Sequence, residues 1–253
     1  MDHADPAMLD LVKQRLWFYQ FELPDGTVTR SDIPARILEV HSTRARHLRT
    51  VIEQKVADPS RMTAIDFASH EGFFSLELAK YFASVRGYEI RTESVLAARL
   101  IAEVCGASNV DFVEADLRRL EFDPALSADF VLVFGLIYHL EDPLRVLRLA
   151  AQLTRQHILI ETQVFPYDVS GIVENGAYDS QRPVTGVFAL TADFPDSREG
   201  GASELALVPS LNALLWLLRH FGFEEIAVLP AAADDYEQFR RGARVIVYGR
   251  KPV

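Results

Sequence analysis

Short apolar segments that alternate with helical patterns between residues 62 and 162 constrain the fold more than any other feature. Three intervening segments place apolar residues at helical spacing, and Asp142 with Pro143 is a typical start for the third helix. Strands that alternate with helices form βαβ units, so the sequence predicts an α/β fold with a mainly parallel sheet. The five predicted strands are 62–68, 83–90, 109–116, 128–136 and 156–162.

The C-terminal third predicts how this sheet ends. A helix over 210–223 is followed by two strand-like segments, 224–229 and 244–251, with no crossover helix between them. Parallel neighbours need such a crossover, so these two strands are predicted to be antiparallel and to complete a seven-stranded sheet. Residues 163–208 are rich in Gly, Pro, Asp and Ser, and we interpret them as an inserted lid.

The first 60 residues have a different pattern. A Pro-Asp-Gly turn between two short extended runs predicts a hairpin, and a helical run continues from Pro34 to about Val56. We interpret residues 1–60 as a cap over the ligand edge of a sheet domain that spans 61–253. A purely structural brace is the equal alternative.

Composition restricts the class of protein and its partners. No apolar run reaches the roughly 18–20 residues of a membrane span, and the N-terminus lacks a secretion signal. The single cysteine, Cys105, excludes a disulfide framework, so we expect a cytoplasmic protein with no membrane partner. The net charge of −10 argues against nucleic acid, despite a basic stretch over 36–49. A homodimer stays open.

Ligands of such a sheet bind at the carboxyl ends of the strands. The first strand ends at the acidic residue Asp66, and a loop with the small residues Ala68 and Ser69 follows. Small residues let the backbone approach a ligand, and Gly72 lets the next helix pack closely on the strand.

Acidic residues end the next two strands. Glu89 can accept hydrogen bonds from the two hydroxyls of a ribose, and Asp116, with Leu117 beside it, can accept from an adenine amino group. Phe134 ends the fourth strand and lines the same edge. Alternatively, Glu89 and Asp116 only cap the helices that follow them.

The loop after the first strand lacks most glycines of a nucleotide-binding loop, and this indicates which kind of ligand it can bind. A dinucleotide pyrophosphate needs several bare backbone amides, and His70 stands where such a loop has its middle glycine. A nucleoside without phosphates has no such need, so S-adenosylmethionine fits better than a nicotinamide dinucleotide. The histidines and acidic residues show no compact spacing for a metal ion.

Several motifs together resemble the core of class I S-adenosylmethionine (SAM)-dependent methyltransferases, over about residues 60–162. They are AIDFASHEGFFSLELA, GYEIRTE, VDFVEADL, FVLVFGLIYHLEDP and ILIET, in that order. HEGFFS and GLIYHLEDP are similar to the branch that includes the tRNA wobble-uridine carboxymethyltransferase and its small-molecule relatives. The resemblance implies a Rossmann-like sheet, S-adenosylhomocysteine (SAH) as product, and a cofactor site lined by Ala68, Gly72, Glu89, Asp116 and Phe134. It also implies that Tyr138 faces the transferred group, while Ala68 and His70 depart from the glycines of the family.

The candidate residues for binding and activating the methyl acceptor lie in the predicted cap and in the loop after the fourth strand. If 34–56 is one helix, His41 and Arg44 share an otherwise apolar face, where they need partners or a ligand. In the alternative, the helix breaks at Ser42 and Thr43 and both side chains are exposed. His139 is either catalytic or structural. The candidates are Tyr138, His41 and His139 for catalysis, and Arg44, Arg36 and Tyr19 for substrate binding.

These observations predict methyl transfer from SAM to a small-molecule acceptor, one with an anionic group that Arg44 or Arg36 would bind. Three alternatives stay open: a tRNA-modifying (carboxy)methyltransferase, a nicotinamide-dependent oxidoreductase, and a non-catalytic SAM-binding module. The sequence leaves the identity of the acceptor and the methylated atom undetermined.

Overall fold

A seven-stranded sheet organises the computed structural model, which describes residues 5–175, 180–194, 200–201 and 203–252. Its strand order is β6-β7-β5-β4-β1-β2-β3, with β1 to β5 parallel and β7 antiparallel to both β5 and β6. The predicted α/β sheet with an antiparallel end is thereby confirmed. The strands are β1 Thr63–Phe67, β2 Ser84–Glu89, β3 Val110–Glu114, β4 Ala128–Phe134, β5 Thr154–Gln163, β6 Glu225–Val228 and β7 Arg244–Arg250.

Helices cover both faces of the sheet, and α5 and α6 begin at the capping residues that the sequence indicates. Asp142 accepts the backbone N–H of Arg145 at the start of α5, with Pro143 in the first turn, and Ser210 accepts the N–H of Ala213 at the start of α6. The helices are α1 Pro6–Gln14, α2 Ala35–Lys55, α3 Phe73–Ala79, α4 Thr92–Val104, α5 Pro143–Leu153, α6 Leu211–His220 and α7 Glu237–Arg240.

The alternation of side chains along β4 builds an apolar core on each face. Phe130 and Leu132 pack on the face covered by α2 and α4, whereas Val131 and Val133 pack on the face covered by α5 and α6. Val12 and Trp17 of the N-terminal segment belong to the first of these cores. The segment predicted as a cap therefore shares its core with the sheet.

The helix α2 is continuous, so the alternative with a break at Ser42 and Thr43 and with exposed His41 and Arg44 side chains does not apply. Both residues have hydroxyl partners compatible with a helix, because Ser42 donates to the carbonyl of Glu39 and Thr43 accepts the N–H of Tyr236. The predicted hairpin is also present: Leu23 donates to Thr27, and Gly26, at φ +78°, donates to Leu23.

The insertion after β5 contains more regular structure than its composition predicts. Two antiparallel hairpins form, one from Gly171–Asn175 and Ser180–Val184, the other from Phe188–Ala192 and Leu205–Pro209. Each of the four strands is only five residues long, and Gly and Pro interrupt the wider pattern, so the sequence does not indicate that they pair. Residues 176–179, 195–199 and 202 of the predicted lid lie outside the described residues. Among the described helices, none combines the length and the apolar character of a membrane span.

Candidate active site

A cavity of about 340 Å³ lies at the carboxyl ends of β1 to β4. The strand order reverses between β1 and β4, which is where open α/β sheets place their ligands. The N-terminal segment and α2 line one side, and Gly200, Gly201 and Ser203 of the insertion line another. The cavity is thus bounded both by the segment predicted as a cap and by the segment predicted as a lid.

The loop after β1 has an unusual backbone. Ala68 and His70 have positive φ angles of +57° and +51°, which L-residues rarely adopt, and Gly72 follows at +84°. A Cβ at Gly72 would lie 2.7 Å from Phe112 Cζ, so this glycine is required for close packing of α3, as the sequence predicts. Strained backbone of this kind concentrates at ligand-binding loops.

Not every predicted cofactor residue of this loop reaches the cavity. Ala68 lines it together with His70, whereas Asp66, Ser69 and Gly72 lie behind the loop, buried against the sheet and α3. Asp66 accepts a hydrogen bond from the Ser75 hydroxyl at 2.7 Å, and burial raises the pKa of Asp66 to about 7.

The predicted acidic residues of the next two strands both line the cavity. Glu89 accepts the backbone N–H groups of His70 and Arg91 at 3.0 and 2.9 Å, which leaves acceptor sites on its two oxygens. Asp116 accepts a bidentate pair of hydrogen bonds from the Arg118 guanidinium, which lowers the pKa of Asp116. Leu117 is buried in the same wall.

The end of β4 brings the backbone close to the cap. Phe134 lines the cavity, and Gly135, at φ +67°, follows it. A Cβ at Gly135 would lie 3.0 Å from Arg44 Nη2, so a side chain here would displace the guanidinium.

Arg44 does not stand free in the cavity, because it takes part in a buried ionic network. Arg44 Nη2 lies 2.5 Å from Glu161 Oε2, and Arg244 Nη1 donates to Glu161 Oε1 at 2.8 Å and to the Tyr138 hydroxyl at 3.1 Å. The Arg244 guanidinium also lies 4.8 Å from the ring centroid of Tyr138. Burial opposes ionisation of Glu161, but the two guanidiniums outweigh it and lower its pKa. The network carries two positive charges and one negative charge.

His41 is buried in the cavity wall without a hydrogen-bond partner on either ring nitrogen among the described residues. Its ring lies edge-on to Phe18 and Tyr19, with centroids 5.1 and 4.6 Å away. Burial, reinforced by the positive charge of Arg44, lowers the pKa of His41 well below 6.5. The imidazole is therefore neutral at physiological pH.

His139 lines the cavity beside Tyr138 and has a partner that the sequence does not indicate. Its Nδ1 lies 2.8 Å from Asp193 Oδ2, in the insertion.

Of the two remaining candidates for substrate binding, only one lines the cavity. Tyr19 is buried and lines the cavity, whereas Arg36 lies exposed in the first turn of α2 and is absent from the cavity wall. Sequence reasoning missed Glu161, Arg244 and Asp193. A charged residue inside the apolar run ILIET was the available signal for Glu161, since buried charges need partners.

Comparisons with known proteins agree with this geometry. Residues 65–158 match the family described as a methyltransferase domain. The structure of the N-terminal domain of EvdMO1 with SAH bound is similar to this chain, at 23% sequence identity and a TM-score of 0.74. The structure of the same domain in the presence of SAH and D-fucose is similar at 24% identity and a TM-score of 0.72. Both matches cover 100% of each chain. The match to EvdMO1 as a whole, at 22% identity and a TM-score of 0.61, covers 97% of this chain and 47% of EvdMO1.

Magnesium protoporphyrin IX methyltransferase (ChlM) from Synechocystis PCC 6803 with bound SAM is similar at 15% identity and a TM-score of 0.56. The match covers 88% of this chain and 86% of that one. No curated protein sequence matches the chain significantly.

The sheet order and these matches define a class I SAM-dependent methyltransferase fold. The chain is a SAM-dependent methyltransferase enzyme, and its match to the methyltransferase-domain family covers residues 65–158. The described residues contain no cluster of three metal-binding side chains.

The cavity has features that suit SAM. The Tyr88 hydroxyl is buried in its wall and has no hydrogen-bond partner among the described residues, so a ligand can satisfy it. Glu89 keeps free acceptor sites beside it. When bound there, SAM supplies an activated methyl group.

Proposed function

We propose that this enzyme methylates a hydroxyl group of a small-molecule acceptor. The observation that carries the proposal is His41, a neutral and buried imidazole in the cavity wall whose two nitrogens have no partner among the described residues. A buried polar group without a partner is costly unless a ligand completes its hydrogen bonds. A hydroxyl can both donate to and accept from such a ring.

On the cofactor side, we propose that Glu89 holds the ribose and that Ala68, Leu117 and Phe134 contact the nucleoside. Asp116 is a weaker candidate for the adenine amino group, because Arg118 already occupies it in a bidentate pair. Asp66, Ser69 and Gly72 would act by shaping the loop from behind.

The size and charge of the cavity support a small acceptor with an anionic group. A cavity of about 340 Å³ has the volume of a small-molecule site. The surplus positive charge of the Arg44, Glu161 and Arg244 network can attract an anion, and Tyr138 lies beside it. The structural similarity to a domain crystallised in the presence of D-fucose makes sugars and sugar acids the first acceptors to test. We also propose a cytoplasmic location, based on the single cysteine.

Cofactor binding is tested by calorimetry with SAH and, separately, with NADH. We expect SAH to bind and NADH not to bind. We also expect Glu89→Ala to weaken the binding free energy of SAH by about 1–3 kcal/mol, because charge-assisted hydrogen bonds are lost. Glu114→Ala is the matched control, because Glu114 pairs with Glu89 in register on β3 but is exposed and outside the cavity wall. Equal losses in the two variants would contradict the assignment of Glu89.

Acceptor methylation is tested by measuring SAH formed from SAM with a panel of sugars and sugar acids. We expect turnover with a member of the panel, and His41→Ala to slow it while SAH affinity stays within about threefold, or ~0.7 kcal/mol. Tight SAH binding without turnover on any acceptor would favour the non-catalytic module.

A further inference from the structure

His139 forms a hydrogen-bonded pair with Asp193 of the insertion, in the wall of the cavity. His139 lies in the short turn Ile137–His139 after β4, with its side chain 17% exposed, and its Nδ1 is 2.8 Å from Asp193 Oδ2. No other hydrogen bond to the ring involves a described residue. The Nε2 atom therefore remains available to a ligand.

Asp193 is itself held in place by the backbone of the insertion. Its Oδ2 accepts the N–H of Gly201 at 2.7 Å, its Oδ1 accepts the N–H of Phe194 at 2.9 Å, and its own N–H donates to Glu204. Burial raises the cost of its charge, but these donors and His139 outweigh that cost and lower the pKa of Asp193. The group facing His139 is thus a fixed carboxylate.

A carboxylate only accepts hydrogen bonds, so it selects the imidazole tautomer with the proton on Nδ1. The lone pair is then on Nε2, the nitrogen left for a ligand. His41 has no such orienting partner in the described part of the chain, where neither of its nitrogens is hydrogen-bonded. A base whose orientation is set by a third group is the recurring arrangement for activating a nucleophile.

We propose that His139 is the general base that takes the proton of the acceptor hydroxyl, and that Asp193 of the insertion is its positioning residue. This inference rests on the proposed hydroxyl methylation and adds the residue that the insertion contributes. The acceptor O–H bond breaks as its proton moves to His139 Nε2, and the oxygen forms the new bond to the methyl carbon. The sulfur of the bound donor keeps the electron pair of the broken S–CH₃ bond, and the imidazolium later releases its proton to water.

Three charged groups and one aromatic ring surround His139. Asp193 faces it from the insertion, Arg44 from α2, Arg244 from β7, and the Tyr138 ring lies 4.2 Å away in the same turn. Burial lowers the pKa of His139, Asp193 opposes that shift, and the two arginines reinforce it. The ring is therefore neutral at pH 7.5 and ready to accept a proton.

The tautomer is measured by ¹⁵N NMR of histidine-labelled enzyme with SAH bound, with His139→Gln used to assign the signal. We expect a protonated Nδ1 and an unprotonated Nε2 at pH 7.5. Asp193→Asn should lower the pKa of His139 and change its tautomer population, because the carboxylate that favours Nδ1–H is lost. A ring protonated on Nε2 in the wild type would overturn the proposal, and this reading requires no acceptor.

Kinetics with the acceptor found above provide the second test. We expect His139→Gln to lower kcat by about 100-fold or more, and Asp193→Asn by about tenfold, both with SAH affinity within about threefold. The acidic limb of the kcat profile should move to lower pH in Asp193→Asn. Thr191→Val is the control, since it removes a hydrogen bond to the Ala206 carbonyl within the same hairpin, away from His139.

Two outcomes contradict the inference while leaving the proposed function intact. The first is an unchanged pH profile in Asp193→Asn with only a raised KM, which indicates a structural anchor for the insertion. The second is equal losses of kcat in Asp193→Asn and Thr191→Val, which indicates general loosening of the hairpin. Failure of SAH to bind the wild type would instead contradict the cofactor assignment.

Discussion

At the scale of single residues, Asp66 shows how burial changes the chemistry of a carboxyl group. It lies near the end of an apolar strand, is only 2% exposed, and accepts a hydrogen bond from the Ser75 hydroxyl. Burial disfavours the charged form, the nearby Glu89 carboxylate adds to this effect, and together they outweigh the hydrogen bonds from Ser75, so the pKa of Asp66 rises from 3.8 to about 7.

This raised pKa makes stability depend on pH. Between about pH 4 and 7 the folded state holds a proton that the unfolded chain has released, so stability falls as pH rises, by up to about 1.4 kcal/mol per pH unit. We expect Asp66→Asn to remove this fall, so its stability relative to the wild type should increase from pH 4 to pH 7 and then level off. Urea denaturation across this range measures it. Asp111→Asn, an exposed carboxyl on β3, is the control, and parallel slopes in all three proteins would contradict the prediction.

At the scale of elements, one buried carboxylate joins three of them. Glu161 of β5 binds Arg44 of α2 and Arg244 of β7, and its Oε2 accepts the N–H of Gly135 after β4. Its side chain is fully buried, and the arginine side chains are 6% and 10% exposed. A partly removed buried network costs more than an absent one, because it leaves an uncompensated charge away from water.

Glu161→Gln should therefore destabilise the protein by about 3–5 kcal/mol, since it leaves two buried guanidiniums without their carboxylate. Lys55→Gln is the matched control, because Lys55 of α2 forms an exposed ion pair with Glu225 of β6 at 3.0 Å. That loss should stay below about 1 kcal/mol. Both values come from urea denaturation at pH 7. Comparable losses in the two variants would mean that the network adds no more than a surface pair.

At the scale of the whole molecule, the net charge is −10, and acidic side chains pair with most arginines of the basic stretch over 36–49. Of its arginines, Arg44 binds Glu161, Arg46 binds Asp235 and Arg49 binds Glu77. The stretch along α2 therefore presents far less positive charge than its sequence indicates. Arg36 remains exposed at its start.

We accordingly expect no tight complex with tRNA. A gel-shift experiment at about 50 mM salt, where electrostatic binding is strongest, should show no shift at submicromolar protein. The same lanes at about 200 mM salt are the control for non-specific binding. A submicromolar complex that weakens with salt would favour the tRNA-modifying alternative over a small acceptor.

The local pattern predicted most of the fold. Strand and helix positions in the core, the hairpin at Pro24–Gly26 and the antiparallel end of the sheet all follow from periodicity, capping residues and connection length. The strands of the insertion could not be predicted in this way, because they are short and because glycines and prolines interrupt their sequence pattern. The place of Glu89 in the cavity wall was also predictable from the sequence, since the parallel strands end at the same edge of the sheet.

The sequence by itself determined that this chain forms a mainly parallel α/β sheet with a ligand site at the carboxyl ends of its strands, because each strand and loop carries its own signal. Only the tertiary structure decided which distant side chains meet in the cavity wall. Glu161 and Arg244 are 83 positions apart, and His139 and Asp193 are 54 apart. Pairs at such separations leave no periodic trace, since a charge finds its partner through the packing of whole elements. The same packing placed Arg44 in an ionic network and buried His41 in the cavity wall, where no described residue forms a hydrogen bond with its ring.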